Sequence, residues 1–132
     1  MSETPPPPPV QPAASSEAEA RNTAKLAHIL NGFFPLLGGL VMWLTGKDKS
    51  SYVDDQGKEA TNFGILLIAA QIVAYIVYAV GTAVTLGFGA LILWILPLGV
   101  WIWGIVMGFK GGSAAEKGEM FRYPWNPLRL IK

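Results

Sequence analysis

Carboxylates are concentrated in one short stretch of the chain, KDKSSYVDDQGKEATNF, which lies between two strongly apolar segments. It contains Asp48, Asp54, Asp55 and Glu59 among basic residues, so a metal site or an acid–base pair must be considered. A calcium loop requires alternating oxygen ligands, a central glycine and a terminal glutamate, and this spacing does not supply them. We therefore predict no metal site here.

Residues for covalent or acid–base catalysis are scarce in the rest of the chain. His28 is the single histidine and there is no cysteine, which excludes disulfides, thiol nucleophiles and cysteine-ligated metal sites. No glycine-rich phosphate loop follows a strand, and no serine lies beside a plausible base. We predict that the protein is not an enzyme and has no catalytic residue, no cofactor-binding residue and no cofactor.

The composition indicates a membrane environment. The 132 residues are 52% hydrophobic and only 14% charged, with a mean hydropathy of +0.38. The apolar residues form long blocks, which is typical of segments that have lipid as their solvent. A net charge of +1 without a basic aromatic cluster gives no indication of a nucleic-acid partner.

Three apolar blocks predict an all-α integral membrane protein with about three transmembrane helices, at residues 26–45, 60–80 and 86–109. Each is long enough at about 1.5 Å per residue to cross a hydrocarbon core of about 30 Å. The second and third form a tight hairpin because only residues 81–85 separate them. Pro35 and the glycines after it leave two alternatives for the first block, a kinked spanning helix or a re-entrant one.

Composition and charge also divide and orient the chain. Residues 1–24 are rich in proline, alanine, serine and glutamate and are predicted to be a disordered tail, while residues 25–132 form the helical membrane domain. Three crossings place Arg21 and Lys25 on one side and eight basic residues on the other. The positive-inside rule then puts the connector (Lys47–Lys58) and the C-terminal tail in the cytoplasm and the N-terminal tail outside. We expect the bacterial inner membrane.

The connector is predicted to form the first turns of the second helix. Ser51 is a candidate N-cap with Asp54 in the first turn, which complements the helix dipole. A helix from there aligns Asp55, Glu59 and Asn62 on one stripe, and the charges keep these turns in the headgroup zone.

Polar and small residues inside the apolar blocks predict helix packing. His28 is typical of a hydrogen-bonded residue near a helix end. Asn62 and Gln71 lie on opposite faces of one helix and each bonds a different neighbour. We interpret the small residues as intramolecular contacts, with homo-oligomer contacts as the alternative; they include Gly32, Gly39, Gly57, Gly64, Gly104 and Gly108.

Three motifs carry a resemblance to a known family. They are KLAHILNGFFPLLGGLVMWL, KDKSSYVDDQGKEATNF and KGEMFRYP, at residues 25–44, 47–63 and 117–124. They resemble the Tic-like bacterial domain-of-unknown-function family of small membrane proteins, which is distantly similar to the twenty-kilodalton chloroplast inner-envelope import component. Ser51 and Thr61 depart from its pattern. The resemblance implies a helical membrane protein and no defined activity.

The function expected from the sequence is that of a non-enzymatic membrane protein that contacts a partner or lipid headgroups. The alternative is a subunit of an oligomeric transport or protein-translocation assembly. The expected partners are the lipid bilayer and a homo-oligomer or other membrane proteins, without nucleic acid. The candidate interaction and structural residues are His28, Lys47, Asp48, Asp54, Gly57, Lys58, Glu59, Asn62, Arg122 and Tyr123.

Overall fold

The computed structural model describes residues 13–127 and 129–131, and every regular element within them is a helix. The helices are α1 (Ala13–Phe33), α2 (Leu37–Gly46), α3 (Ser51–Val84), α4 (Ala90–Leu93) and α5 (Ile95–Glu116). A single residue, Trp94, separates α4 from α5, and its backbone angles are themselves helical. The two therefore form one rod, Ala90–Glu116. The all-α prediction is confirmed for these residues.

The first apolar block is a helical hairpin and not one continuous helix. α1 ends two residues before Pro35, and the chain then reverses so that Gly38 packs on the backbone of Leu30. At the other end of α2, Gly46 lies beside Thr23 of α1, so the two helices are antiparallel. The block is therefore not one helix over residues 26–45; it turns back on itself, as the second alternative predicted.

Local chemistry explains the reversal. Proline disfavours helical geometry in the residue before it and donates no backbone hydrogen bond, so α1 cannot continue through Pro35. Leu36 then has φ of 71°, a conformation that is costly for a branched aliphatic residue. The side-chain oxygen of Asn31 accepts the backbone N–H of Leu36 at 2.9 Å, which stabilises the turn.

α1 begins earlier than the sequence suggested. Residues 13–24, part of the predicted disordered tail, are helical, and residues 1–12 lie outside the described part of the chain. Alanine and glutamate in this segment have high helix propensity, and Ala24 is fully buried. Lys25 lies 3.4 Å from Glu116 at the C-terminal end of α5. The prediction that the N-terminal segment lies opposite the C-terminal tail is therefore wrong for residues 13–25.

Glycines allow the helices to approach closely within the molecule. A Cβ atom at Gly108 would lie 2.6 Å from the carbonyl oxygen of His28, and one at Gly32 would lie 2.7 Å from that of Gly104. These positions bring α1 against α5. On the other side of the molecule, Gly64 of α3 approaches the backbone of the α1–α2 turn. The interpretation of these glycines as intramolecular contacts is confirmed.

α3 and the α4–α5 rod form the long hairpin that the second and third blocks predicted, with shifted ends. α3 starts at Ser51, as expected for a helix that includes the connector, but its N-cap is Ser50, whose side chain accepts the Val53 N–H. The rod is interrupted at Trp94, three residues before Pro97. Proline at that position removes a hydrogen bond to Leu93 and crowds its carbonyl, which accounts for the interruption; the bend expected at Pro97 stays a prediction.

The long hairpin exposes apolar surface over most of its length. Among the described residues, α3 and the Ala90–Glu116 rod are the two helices long and apolar enough to cross a membrane. The buried share of their most apolar parts is only 28% and 17%, whereas the core helix of a water-soluble protein is mostly buried. The buried apolar cluster lies toward the start of α3 and the end of α5, and it consists of Phe63, Leu66, Leu67, Met107 and Tyr123.

Replacing Gly108 with alanine should destabilise the fold, because the added Cβ meets the His28 backbone, which cannot rotate away. We expect the free energy of unfolding to fall by about 1–3 kcal/mol, the usual range for overpacking. The matched control is Gly99→Ala on the same helix, where nothing lies within 4 Å of the new atom. Thermal unfolding in detergent, followed by circular dichroism, compares the two variants; equal melting temperatures would contradict the packing assigned here.

Candidate functional site

The C-terminal strap, residues 119–127 and 129–131, has no helix and lies along the first turns of α3. Three residues of α3 hold it at intervals of about one turn. Asp55 accepts two hydrogen bonds from the Arg122 guanidinium at 2.6 and 2.9 Å, Glu59 binds Arg129, and Asn62 binds the backbone of Ile131. The predicted stripe of Asp55, Glu59 and Asn62 is thus confirmed, and it faces the strap.

Glu59 is the buried charge of this arrangement. Its side chain is 3% exposed, and its two oxygens accept hydrogen bonds from Arg129 Nε and Nη2 at 2.9 and 2.8 Å. The backbone N–H of Tyr123 donates a third at 2.8 Å. Bidentate pairing with arginine is the strongest common contact of a carboxylate, and it offsets the desolvation of Glu59. The strap is therefore fixed at both Tyr123 and Arg129.

Asn62 anchors the end of the strap without a charge. Its amide nitrogen donates to the carbonyl of Ile131 and its amide oxygen accepts the Ile131 N–H, both at 2.8 Å. Gln71, nine residues further along α3, instead donates to the carbonyl of Pro97. The prediction that these two amides serve different neighbours is confirmed.

His28 joins α1 to both α3 and the strap. Its Nδ1 lies 2.6 Å from the Tyr123 hydroxyl and its Nε2 lies 2.9 Å from Gln56 Oε1. Because Gln56 uses its Nε2 to donate to Asp55 and to the carbonyl of Phe121, its Oε1 accepts. His28 therefore carries its proton on Nε2, and the Tyr123 hydroxyl donates to Nδ1.

The environment keeps this pair of residues uncharged. Burial lowers the pKa of His28 to about 4, although the bond to Gln56 and the carboxylate of Glu59 oppose the shift. Burial likewise raises the pKa of Tyr123 well above its ordinary value. His28 is neutral at physiological pH and Tyr123 stays protonated, so their hydrogen bond acts as a fixed link between α1 and the strap.

A second group of predicted residues surrounds Trp43 of α2. The indole N–H donates to Asp54 at 2.8 Å, and Asp54 also pairs with Lys58 at 3.0 Å. Gly57 lies directly against the Trp43 side chain, which leaves no space for a Cβ atom. The Lys47 ammonium lies 5.1 Å from the centre of the ring system. This group fixes α2 against α3.

The ten predicted residues thus fall into two groups and one isolated position. His28, Glu59 and Asn62 bind the strap, to which Arg122 and Tyr123 belong. Lys47, Asp54, Gly57 and Lys58 surround Trp43, and Asp48 is exposed on the connector. We call the first group, with Asp55, Gln56 and Arg129, the polar cap. No cluster of three or more metal-binding side chains occurs in the described ranges.

Four contributors to these groups were not among the ten predicted residues, namely Asp55, which was predicted only as part of the stripe on α3, and Gln56, Arg129 and Trp43. The sequence did contain a signal for Arg129. Asp55 and Glu59 lie on one face of α3, and a carboxylate on the buried face of a helix requires a cation as its partner. Nothing in the local sequence around Gln56 indicates that it meets a histidine 28 positions away.

Replacing Glu59 with glutamine should loosen the strap. Arg129 would lose its charged partner, but it is 42% exposed and can be solvated, so we expect a loss of about 1–3 kcal/mol in the free energy of unfolding. Asp48→Asn on the exposed connector is the matched control and should change it little. Limited proteolysis of the strap and thermal unfolding measure both effects; equal behaviour of the two variants would show that Glu59 does not hold the strap.

Acidification should destabilise the protein through His28. Its folded pKa of about 4 lies below the ordinary value of 6.5, so the unfolded chain binds more protons between these values and stability falls as the pH decreases from 6.5 to 4. The limit for a shift of this size is about 3 kcal/mol. Unfolding measured at pH 7, 6 and 5 should show this slope in the wild type and lose it in His28→Gln. A slope that persists in the variant would assign it to other groups.

Comparison with known proteins identifies a family. No curated protein and no solved structure is detectably similar to the chain. One family model, described as the magnetosome magnetite crystal formation protein family (MamF/MmsF), matches residues 19–131. The resemblance to a Tic-like family is therefore wrong, because all three motifs on which it rested lie within the residues that match this other family, and nothing supports similarity to the chloroplast import component. The chain belongs to the magnetosome magnetite crystal formation protein family.

Proposed function

We propose that this protein is an integral, non-enzymatic component of the magnetosome membrane that takes part in magnetite crystal formation. Membership of the family supports the proposed role in magnetite crystal formation. Membrane insertion is supported by the long hairpin, whose outward side chains include Ile72, Val80, Leu91 and Ile102, each about half exposed or more. In water such a surface would drive aggregation, whereas in lipid it is the expected solvent-facing side.

Two crossings describe this chain better than three. Phe63–Val84 and the rod from Ala90 to about Phe109 cross the bilayer, while the α1–α2 hairpin enters from one side and turns back. Every lysine and arginine among the described residues then lies at the polar-cap end, and residues 81–90 contain none. The positive-inside rule assigns the cap, the connector and the start of α1 to the cytoplasmic side.

The observation that carries the functional proposal is the built surface of the polar cap. The strap is held to α1 and α3 by two arginine–carboxylate pairs, a reciprocal amide contact and the His28–Tyr123 bond. The buried Glu59 and the partly exposed Asp55 are both paired within the protein, so the cap is a preorganised surface rather than a reaction centre. We infer that it positions another component of crystal formation at the membrane.

The alternative of a subunit in a transport assembly has less support. Two crossing helices cannot enclose a water-filled path, so several copies would be required. The two amide side chains of α3 are also occupied, since Asn62 binds Ile131 and Gln71 binds Pro97. Neither amide is therefore free to line a path for ions or polypeptide.

The proposed topology predicts which engineered cysteines lie on the same side of the membrane. The natural chain has no cysteine, so Ser16→Cys, Lys49→Cys and Phe88→Cys each give a single label site. In intact isolated magnetosomes, whose outer face is the cytoplasmic face, a membrane-impermeant maleimide should label Ser16→Cys and Lys49→Cys and leave Phe88→Cys unlabelled until the membrane is opened. Opposite behaviour of Ser16→Cys and Lys49→Cys would contradict the hairpin arrangement of α1 and α2.

Deletion of the gene in a magnetosome-forming bacterium tests the function. Electron microscopy should show altered size or number of magnetite crystals, restored by the wild-type chain. The double variant Asp48→Lys, Lys49→Glu changes exposed cap-side charges without touching the buried pairs and should restore less. Val73→Leu, on the exposed side of α3, is the matched control and should restore fully. Normal crystals in the deletion strain would refute the proposal.

A further inference from the structure

The C-terminal strap runs along α3 toward the point where that helix enters the bilayer. Its contacts follow in the same order along both segments: Glu119 with Tyr52, Arg122 with Asp55, Arg129 with Glu59 and Ile131 with Asn62. Asn62 directly precedes Phe63, where the proposed crossing begins. The end of the strap therefore lies at the boundary between water and membrane.

Three large apolar side chains of the strap face away from the protein. Met120, Trp125 and Leu130 are 60%, 65% and 68% exposed. Tyr123 and Asn126, which lie between them in the chain, are almost fully buried. The strap is thus two-sided, with one side packed on the helices and an apolar outer side.

Met120 lies well outside the hydrocarbon. It falls between the strap residues bound to Tyr52 and Asp55, which precede Phe63 by 11 and 8 residues. At the rise of an α-helix these positions are about 12–16 Å from the start of the crossing. The headgroup region is only about 5–8 Å thick on each side of the hydrocarbon core, so Met120 lies in water.

Trp125 and Leu130 lie much closer to the membrane. The segment that carries Trp125 is bound to Glu59 at both ends, and Leu130 lies between the residues bound to Glu59 and Asn62. Glu59 precedes Phe63 by four residues. Both side chains are therefore within about 6 Å of the hydrocarbon along the axis of α3, which is the depth of the headgroups.

This depth determines what the two side chains contact. A side chain that is exposed at the depth of the headgroups faces the bilayer that surrounds the crossing helices. Tryptophan is enriched in this zone because its ring is apolar and its N–H is polar. The strap has no helix, and backbone without regular pairing is not tolerated in hydrocarbon. The backbone therefore stays among the headgroups, and only side chains reach further.

We propose that the end of the strap, residues 125–127 and 129–131, is a membrane-interface anchor that binds the phospholipid surface around α3. Trp125 lies among the headgroups and Leu130 lies at the edge of the hydrocarbon. The strap thus fixes the polar cap to the bilayer as well as to α3. The inference rests on the membrane insertion proposed above and holds for either orientation of the cap. Met120 and the exposed connector at Asp48 remain in water.

Fluorescence quenching at three positions of the full chain in phospholipid nanodiscs tests the anchor. The natural chain has no cysteine, so Met120→Cys, Trp125→Cys and Leu130→Cys each carry one fluorescent label. Lipids brominated near the headgroup end of the acyl chain should quench the labels on Trp125→Cys and Leu130→Cys about twofold or more than the label on Met120→Cys, because only the first two lie within the bilayer. Iodide in the water should quench in the opposite order. Met120→Cys is the matched control, since it lies on the same strap and is similarly exposed.

Two results would overturn the proposal. One is equal quenching of the three labels by brominated lipid, and the other is protection of Trp125→Cys and Leu130→Cys from both quenchers, which would indicate a protein contact in place of lipid. Should a labelled variant fail to fold by circular dichroism, the emission lost in Trp125→Phe decides in its place. This component should be weaker in brominated than in ordinary nanodiscs, and an unchanged component would also overturn the anchor.

Failure of the anchor can be distinguished from failure of the proposed function. A chain that is not a membrane protein would not enter nanodiscs at all, whereas a chain without the anchor would enter them and show no dependence of quenching on depth. The part played in crystal formation is measured separately, by the magnetite crystals of the deletion strain.

Discussion

A buried carboxylate must be paired, and the pairing of the Glu59 carboxylate determines how the polar cap is arranged. It is almost fully removed from solvent, and an unpaired charge there would cost several kcal/mol (about 3–5 when one partner of a buried pair is lost). Arg129 and the Tyr123 N–H supply the pairing, and both belong to the strap. Satisfying Glu59 thus brings the strap onto α3, and with it the Tyr123 side chain onto His28.

Tyr123 connects the polar cap to the apolar core. Its ring stacks on Phe63 with centroids 3.9 Å apart, while its hydroxyl binds His28 of α1. One side chain therefore connects the strap, α1 and α3. The backbone of His28 in turn contacts Gly108 of α5. The polar cap and the glycine packing are therefore consecutive layers of one structure.

Much of the secondary structure could be predicted because it depends on composition and local chemistry. The apolar blocks gave the long hairpin, Ser51 within the connector gave the start of α3 to within one residue, and the interruption between α4 and α5 near Pro97 follows from the missing donor. The reversal at Pro35 was one of two alternatives. Choosing between them required the tertiary contacts of Gly38 and Gly46 with α1, which no local pattern contains.

The candidate site, too, could be predicted only in part from the sequence. The spacing of Asp55, Glu59 and Asn62 determined that they share a face of α3, since helical periodicity requires it. What that face meets was decided only by the tertiary structure, because Arg122, Arg129 and Ile131 lie more than 60 positions away in the chain. The sequence alone determined which segments are apolar enough for lipid. The fold determined the direction of α2 and placed the start of α1 beside the C-terminal end of α5, because these are contacts between segments that are distant in the chain.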